Sequence, residues 1–217
     1  MKNIPRPQAV INDLAPIIPV VYEGLEQGTF KALEFFDGLD EAYRRPIDSH
    51  LAAYLTRFYT RIRLKEKGQE VENGEDCKEY SLKYVPNCGL YLGYQQYKIK
   101  IFKSKNGEVP TPGNSIKKQG FYEQMQLFSE IDGVEPHWNL ILLWDVSAPY
   151  NLKSLSVACP QAGGRTRNSV IMHWHEPIPE AFLFGIVRPE PTKETEDEVE
   201  DLPLSLAKTE IEIEVDN

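Results

Sequence analysis

Apolar positions recur with a helical period in the first third of this chain and with a strand period after it. From residue 48 to 67, Leu51, Tyr54, Leu55, Phe58, Tyr59 and Ile62 return every three or four residues. That spacing makes one apolar face of a helix, the kind that packs on a core. Asp48 or Ser49 can cap the helix by accepting from the free N–H groups of its first turn, and Gly68 can end it as a left-handed residue. Upstream, Val21, Leu25, Phe30, Leu33 and Phe36 repeat the pattern and predict a helix over about 20–36. Gly24 and Gly28 fall inside it, each weakening it by about 1 kcal/mol relative to alanine. Residues 11–67 are therefore expected to be helical.

After a polar stretch with a turn at Asn73–Gly74, the period drops to two. In 89–104, Tyr97, Ile99 and Ile101 alternate with Lys98 and Lys100, which reads as a hairpin with one wet face. Asn114 or Ser115 then caps a helix over about 116–129 that carries Ile116, Phe121, Met125 and Phe128. The segments 137–146, 152–160 and 168–176 follow with short connections, so they are expected to form a three-stranded antiparallel meander. The fold class is α+β: a helical N-terminal part packed on an antiparallel sheet. One domain is expected over 1–187, sheet-rich from 84 onward.

Charge redraws the end of the chain. The net charge of −9 belongs almost wholly to residues 188–217, which hold eleven acids against three bases. That segment is too poor in apolar groups to order itself and is expected to be a disordered acidic tail. Its last residues alternate Ile211, Ile213 and Val215 with Glu210, Glu212 and Glu214, a strand pattern that suits docking on a sheet edge. The lysine-rich hairpin at 97–103 is the edge expected to receive it, or else an edge of a partner protein.

The remaining 187 residues are nearly neutral, so whole-chain acidity excludes no basic surface. Two basic runs stand out. Arg57, Arg61 and Lys65 are four residues apart on the first-named helix, and Lys98, Lys100 and Lys103 lie in the hairpin beside Tyr97. Cations beside aromatic rings suit a single-stranded nucleic acid, although lysines on an edge strand also serve simply to block aggregation.

His173 and His175 sit two residues apart on a predicted strand, where they share a face and point at one divalent ion. The meander register puts His137 at the far end of the sheet and Asp145 about 10 Å away, so a third ligand is missing. A ligand from the N-terminal half, such as His50, would be needed. Sheet packing is the preferred reading of the pair, and no cofactor is expected. Cys88 lacks a base beside it and reads as a small buried residue. The Gly163–Gly164 pair in 161–167 can hold a phosphate in a backbone nest, but it lacks the P-loop lysine and reads as a turn.

Three cysteines without CxxC spacing fit a reducing, cytoplasmic setting, and no apolar run reaches transmembrane length. The expectation is a non-enzymatic binding or regulatory protein whose partner is another protein. Nucleic-acid binding through the two basic runs ranks second, and a metal-dependent hydrolase built on His173 and His175 ranks third.

Overall fold

The computed structural model describes residues 4–39, 47–72, 80–85, 89–124, 138–148 and 150–185. Helix α1 (Pro7–Leu14) opens on a proline, where a missing N–H costs nothing. Helix α2 (Ile18–Asp37) follows after a short turn and stops at Gly38. Helix α3 (Ser49–Glu72) is capped as expected: Asp48 Oδ1 accepts from the N–H groups of His50 at 2.7 Å and Leu51 at 2.9 Å. Those two bonds hold the Asp48 carboxyl below its usual range. The helix runs on through Gly68, which is therefore not its terminator.

Six strands follow: β1 (Ser81–Val85), β2 (Gly89–Tyr94), β3 (Tyr97–Lys103), β4 (Trp138–Ser147), β5 (Asn151–Ala162) and β6 (Ile171–Pro177). They lie side by side in chain order, so β1 and β6 are the edges. Helix α4 (Ile116–Tyr122) falls between β3 and β4, capped by Ser115, and helix α5 (Glu180–Leu183) follows β6. The architecture is α+β. Both antiparallel units are present, β2–β3 as a hairpin and β4–β5–β6 as a meander. They join through a parallel pair, from Tyr97 opposite Trp138 to Lys103 opposite Trp144, so the sheet is mixed rather than antiparallel throughout. The connection from 104 to 137 is long enough, with α4 in it, to bring the chain back to the same end of the sheet. Of the expected 116–129 helix, the part through Tyr122 is present, and Met125 and Phe128 lie outside the described residues.

Both faces of the sheet are covered. One packs Leu92, Ile99, Leu140, Leu142 and Val157 against Val10, Leu14, Ile18, Val21 and Leu25 of α1 and α2. The other packs Tyr91, Ile141, Leu143 and Ala158 against Phe121 and Tyr122 of α4. Two-sided cover explains why β3 and β4 are buried almost without alternation. At the end of α4, Gln124 bridges two strands: its amide donates to Pro160 O at 2.6 Å and Asn139 O at 3.0 Å and accepts from Asn139 N at 2.8 Å. Pro160 has no N–H of its own, and the side-chain amide supplies the donor that the backbone lacks there.

Two expectations for the tail follow differently. Residues 188–217, with Ile211, Ile213 and Val215, lie outside the described residues. The edge expected to receive them is not an edge, because β3 is enclosed between β2 and β4.

Candidate interaction surface

Helix α3 has two faces, and the smaller side chains face the core. Ala52, Thr56, Thr60 and Leu64, spaced four residues apart, are each fully buried. Thr56, Thr60 and Leu64 meet the glycines of α2. A Cβ on Gly28 would stand 2.6 Å from Thr56 O and from Thr60 Oγ1, whereas one on Gly24 would stand 3.5 Å from Leu64. The backbones come so close that only glycine fits at position 28. The buried hydroxyls are satisfied within the helix, Thr56 Oγ1 donating to Ala52 O at 2.9 Å and Thr60 Oγ1 to Thr56 O at 2.7 Å.

With the small residues turned inward, the ring-bearing face turns outward. Leu51, Tyr54, Phe58 and Ile62 stay 41%, 51%, 46% and 40% exposed, and α2 exposes Phe30 and Phe35. Four of the six residues that the apolar periodicity assigned to the core therefore face outward, while Leu55 still packs against the core and Tyr59 is half-buried. Close approach to α2 decided the rotation of α3, and that approach admits alanine and threonine but not phenylalanine.

The cations of α3 divide along the same line. Arg63 pairs with Glu23 of α2 at 3.0 Å and with Glu66 at 3.4 Å, and Lys67 reaches Glu23 at 3.9 Å. These tie the two helices together. Arg57, Arg61 and Lys65 each follow Tyr54, Phe58 and Ile62 by three residues, so the cations form a row alongside the apolar row. Arg61 and Lys65 are exposed and Arg57 is half-buried.

Strand β3 does the opposite. Lys98 is 2% exposed and Lys100 fully buried, so the wet lysine face expected for this hairpin lies inside the molecule. The Lys100 ammonium sits 4.5, 5.0 and 5.6 Å from the ring centres of Phe102, Tyr91 and Phe121. Lys98 stands 5.8 Å from the Tyr91 ring, and burial, followed by the Lys83 charge, pushes its pKa down to about 8. Lys103 lies 4.5 Å from the Tyr150 ring, its pKa lowered by burial against the pull of Asp145. Tyr97 is buried and donates to Asp13 Oδ2 at 2.6 Å, and burial and that bond together raise its pKa. These four residues do not extend the surface row of α3.

The histidines do not share a face. Met172 packs with the cluster under α4 and Trp174 with the cluster under α1 and α2, so alternation breaks between them. The register of β5 against β6 shifts twice near Pro160, which is the cause. His173 meets the Trp138 ring edge-on, its ring centre 6.5 Å away, while His175 Nε2 lies 2.9 Å from Ser156 Oγ. Among the described residues no group of three His, Cys, Asp or Glu side chains is placed to hold a metal ion. His50 is exposed in the first turn of α3, and His137 lies outside the described residues.

The other candidates have structural duties. A Cβ on Gly163 would meet the Tyr122 ring at 2.6 Å, and one on Gly164 would meet Ser169 at 2.5 Å, so close packing accounts for both glycines. Cys88 lies outside the described residues, and Cys159 is a buried free thiol whose pKa burial pushes up to about 12. A void lined by Leu14, Ile17, Ile18, Val21, Leu92, Ile99, Ile101 and Leu142 is wholly apolar and, at ≈ 10 Å³, barely admits one water. Among the described residues no helix is long and apolar enough to cross a membrane.

Compared with family models, curated proteins and solved structures, the chain matches none.

Proposed function

We propose that this is a non-enzymatic binding protein of the cytoplasm that recognises another protein through the outward face of α3. The observation that carries the reading is the exposed row of Leu51, Tyr54, Phe58 and Ile62 on a helix whose opposite face is already packed. An apolar helix face bordered along one side by Arg57, Arg61 and Lys65 matches a partner that offers its own apolar surface and acidic groups. The buried Cys159 thiol, with no disulfide, fits a reducing compartment. Nucleic-acid binding is the second reading. It now draws on Arg57, Arg61 and Lys65 beside Tyr54 and Phe58, since the β3 lysines are inside.

A photo-crosslinking residue placed at Tyr54 or Phe58 tests the reading in cells. Adducts of discrete mass are expected at both positions and not at exposed Lys153 on β5. Replacing Arg57, Arg61 and Lys65 by glutamate is expected to abolish them. Nuclease-sensitive adducts would favour the second reading, and no adduct at either position would sink both.

A further inference from the structure

On the outward face of α3 the exposed side chains are spaced symmetrically about Phe58. Tyr54 and Ile62 lie four residues to either side of it, and Leu51 and Lys65 lie seven. All five are exposed. At 3.6 residues per turn they fall within an arc of about 80°, with Tyr54 and Ile62 about 6 Å along the axis from Phe58 and Leu51 and Lys65 about 10.5 Å from it. Intervals of three and four residues are those of a seam into which a second helix packs. Here the intervals run three, four, four, three, so the seam has the same spacing from either end. A seam of that kind fits an antiparallel copy of itself about a two-fold axis at its centre, which is the condition for a closed dimer of identical chains.

Resting on the reading above, we propose that the partner of this face is a second copy of the chain, with its α3 antiparallel to the first and Phe58 of each copy at the two-fold axis. Phe58 then meets its own counterpart, ring against ring. Tyr54 meets Ile62 of the second copy, and Leu51 meets the apolar stem of Lys65. That last pairing leaves the Lys65 ammonium about 4.5 Å along the axis from Asp48 of the second copy, within reach of a lysine stem. Asp48 is exposed at the start of the helix, and the symmetry makes this contact twice. Charge therefore selects the direction of the pair. A parallel pair in register would set Lys65 against Lys65 and Asp48 against Asp48, whereas the antiparallel pair sets cation beside anion at both ends and opposes the two helix dipoles.

The contact is small. Four half-exposed apolar side chains from each copy bury on the order of 800 Å² in all, at the bottom of the range for specific interfaces. Such an area suits a dimer in exchange with its monomer, with a Kd of about 10–100 µM, rather than an obligate one. The exposed ion pairs contribute little and are screened by salt, so the rings supply the affinity and the charges the direction. Each copy keeps its fold without the other, because α3 packs on α2 through its opposite face, and association follows mass action alone.

Sedimentation equilibrium of the full-length chain, from about 1 to 300 µM, is expected to show monomer passing into dimer. Phe58→Glu and Phe58→Lys should each stay monomeric, because each sets like charges together at the axis. Mixed in equal amounts, the two variants should associate more than either does alone. That recovery requires position 58 to meet itself, and a variant that fails to fold cannot produce it. Asp48→Asn keeps a capping oxygen and removes the charge, so it should weaken the dimer several-fold at about 50 mM salt and hardly at all at about 500 mM. A wild type that stays monomeric throughout, a dimer that survives Phe58→Glu, or a mixture that associates no more than its components would overturn the proposal. In that event, photo-crosslinked adducts from Tyr54 or Phe58 of a mass other than two chains leave the binding face standing with a different partner. No adduct from either position removes both readings.

Discussion

Helix α3 and strand β3 distribute their side chains in opposite senses. The helix keeps phenylalanine and tyrosine in solvent and buries alanine and threonine; the strand buries two lysines. Neither arrangement follows from side-chain polarity. On α3 the deciding quantity is distance, because α2 approaches so closely at Gly28 that only small groups fit between the helices. On β3 it is topology, because neighbouring strands on both edges and helices on both faces leave no wet side. An inward lysine on an enclosed strand is held by aromatic faces around its stem and head, a structural duty. An outward ring on a helix that is already packed stays partly in solvent, and on that exposure the proposed binding face rests.

The contrast between the two faces of α3 breaks first if their residues prove energetically alike. Leu64 is fully buried against α2, so Leu64→Ala should cost about 2–5 kcal/mol through lost contacts and the cavity left behind. Phe58→Ala should cost clearly less, about 1 kcal/mol, since 46% of the residue is exposed, and should affect binding as well. Urea unfolding of the two variants decides it. A Phe58→Ala loss comparable to that of Leu64→Ala would mean that the ring face supports the fold.

What was legible in the chain follows from the same physics. The meander was readable because short connections force antiparallel neighbours, although the ladder shift after Asp145, which pairs with Ser154, was not. The helix predicted over about 20–36 is α2, Ile18–Asp37. The orientation of α3 was misread because apolar periodicity weighs rings and leucines and gives no weight to alanine and threonine. The signal that would have found it was present: small residues at 52, 56 and 60 on one helix and glycines at 24 and 28 on the other, both at four-residue spacing. The burial of Lys98 and Lys100 was not legible, because it depends on β4 pairing in parallel across a 34-residue connection from 104 to 137. The split of His173 and His175 between faces depends on a bulge near Pro160 that alternation cannot foresee.

A pair of glycine substitutions sharpens the account of α3 at a lower level of effect. Gly28→Ala drives a methyl against the Thr56 carbonyl and should cost about 1–3 kcal/mol, since backbone must move. Gly24→Ala meets Leu64 at ordinary contact distance and should instead stabilise by about 0.4–1 kcal/mol through a less flexible unfolded chain and better helix propensity. Opposite signs in thermal unfolding are the expected result. Equal losses at both positions would show that the helices are nearer along their whole length, and equal gains that they are farther apart at Gly28.

The effect expected on β3 appears only as pH changes, and its sign can be worked out. Burial, and after it Lys83, lowers the Lys98 pKa to about 8 in the folded protein, from 10.5 in a solvated lysine. Between those values the unfolded chain holds the proton and the folded protein has released it. Stability linked to this group therefore rises with pH across that window and is lost as pH falls through about 8. Tyr97, Tyr122 and Tyr150 work the other way. Burial raises each phenol, so the unfolded chain ionises first and stability falls as pH climbs past 10.0 toward the folded values. The two trends together predict a stability maximum just below the onset of tyrosine ionisation. Urea midpoints measured across alkaline pH should climb in the wild type up to that maximum. In Lys98→Met, which keeps the apolar stem and removes the ammonium, the climb should be shallower. A variant with an unchanged rise would place the titrating group elsewhere, with Lys103 the next lysine to replace, since burial lowers its pKa too.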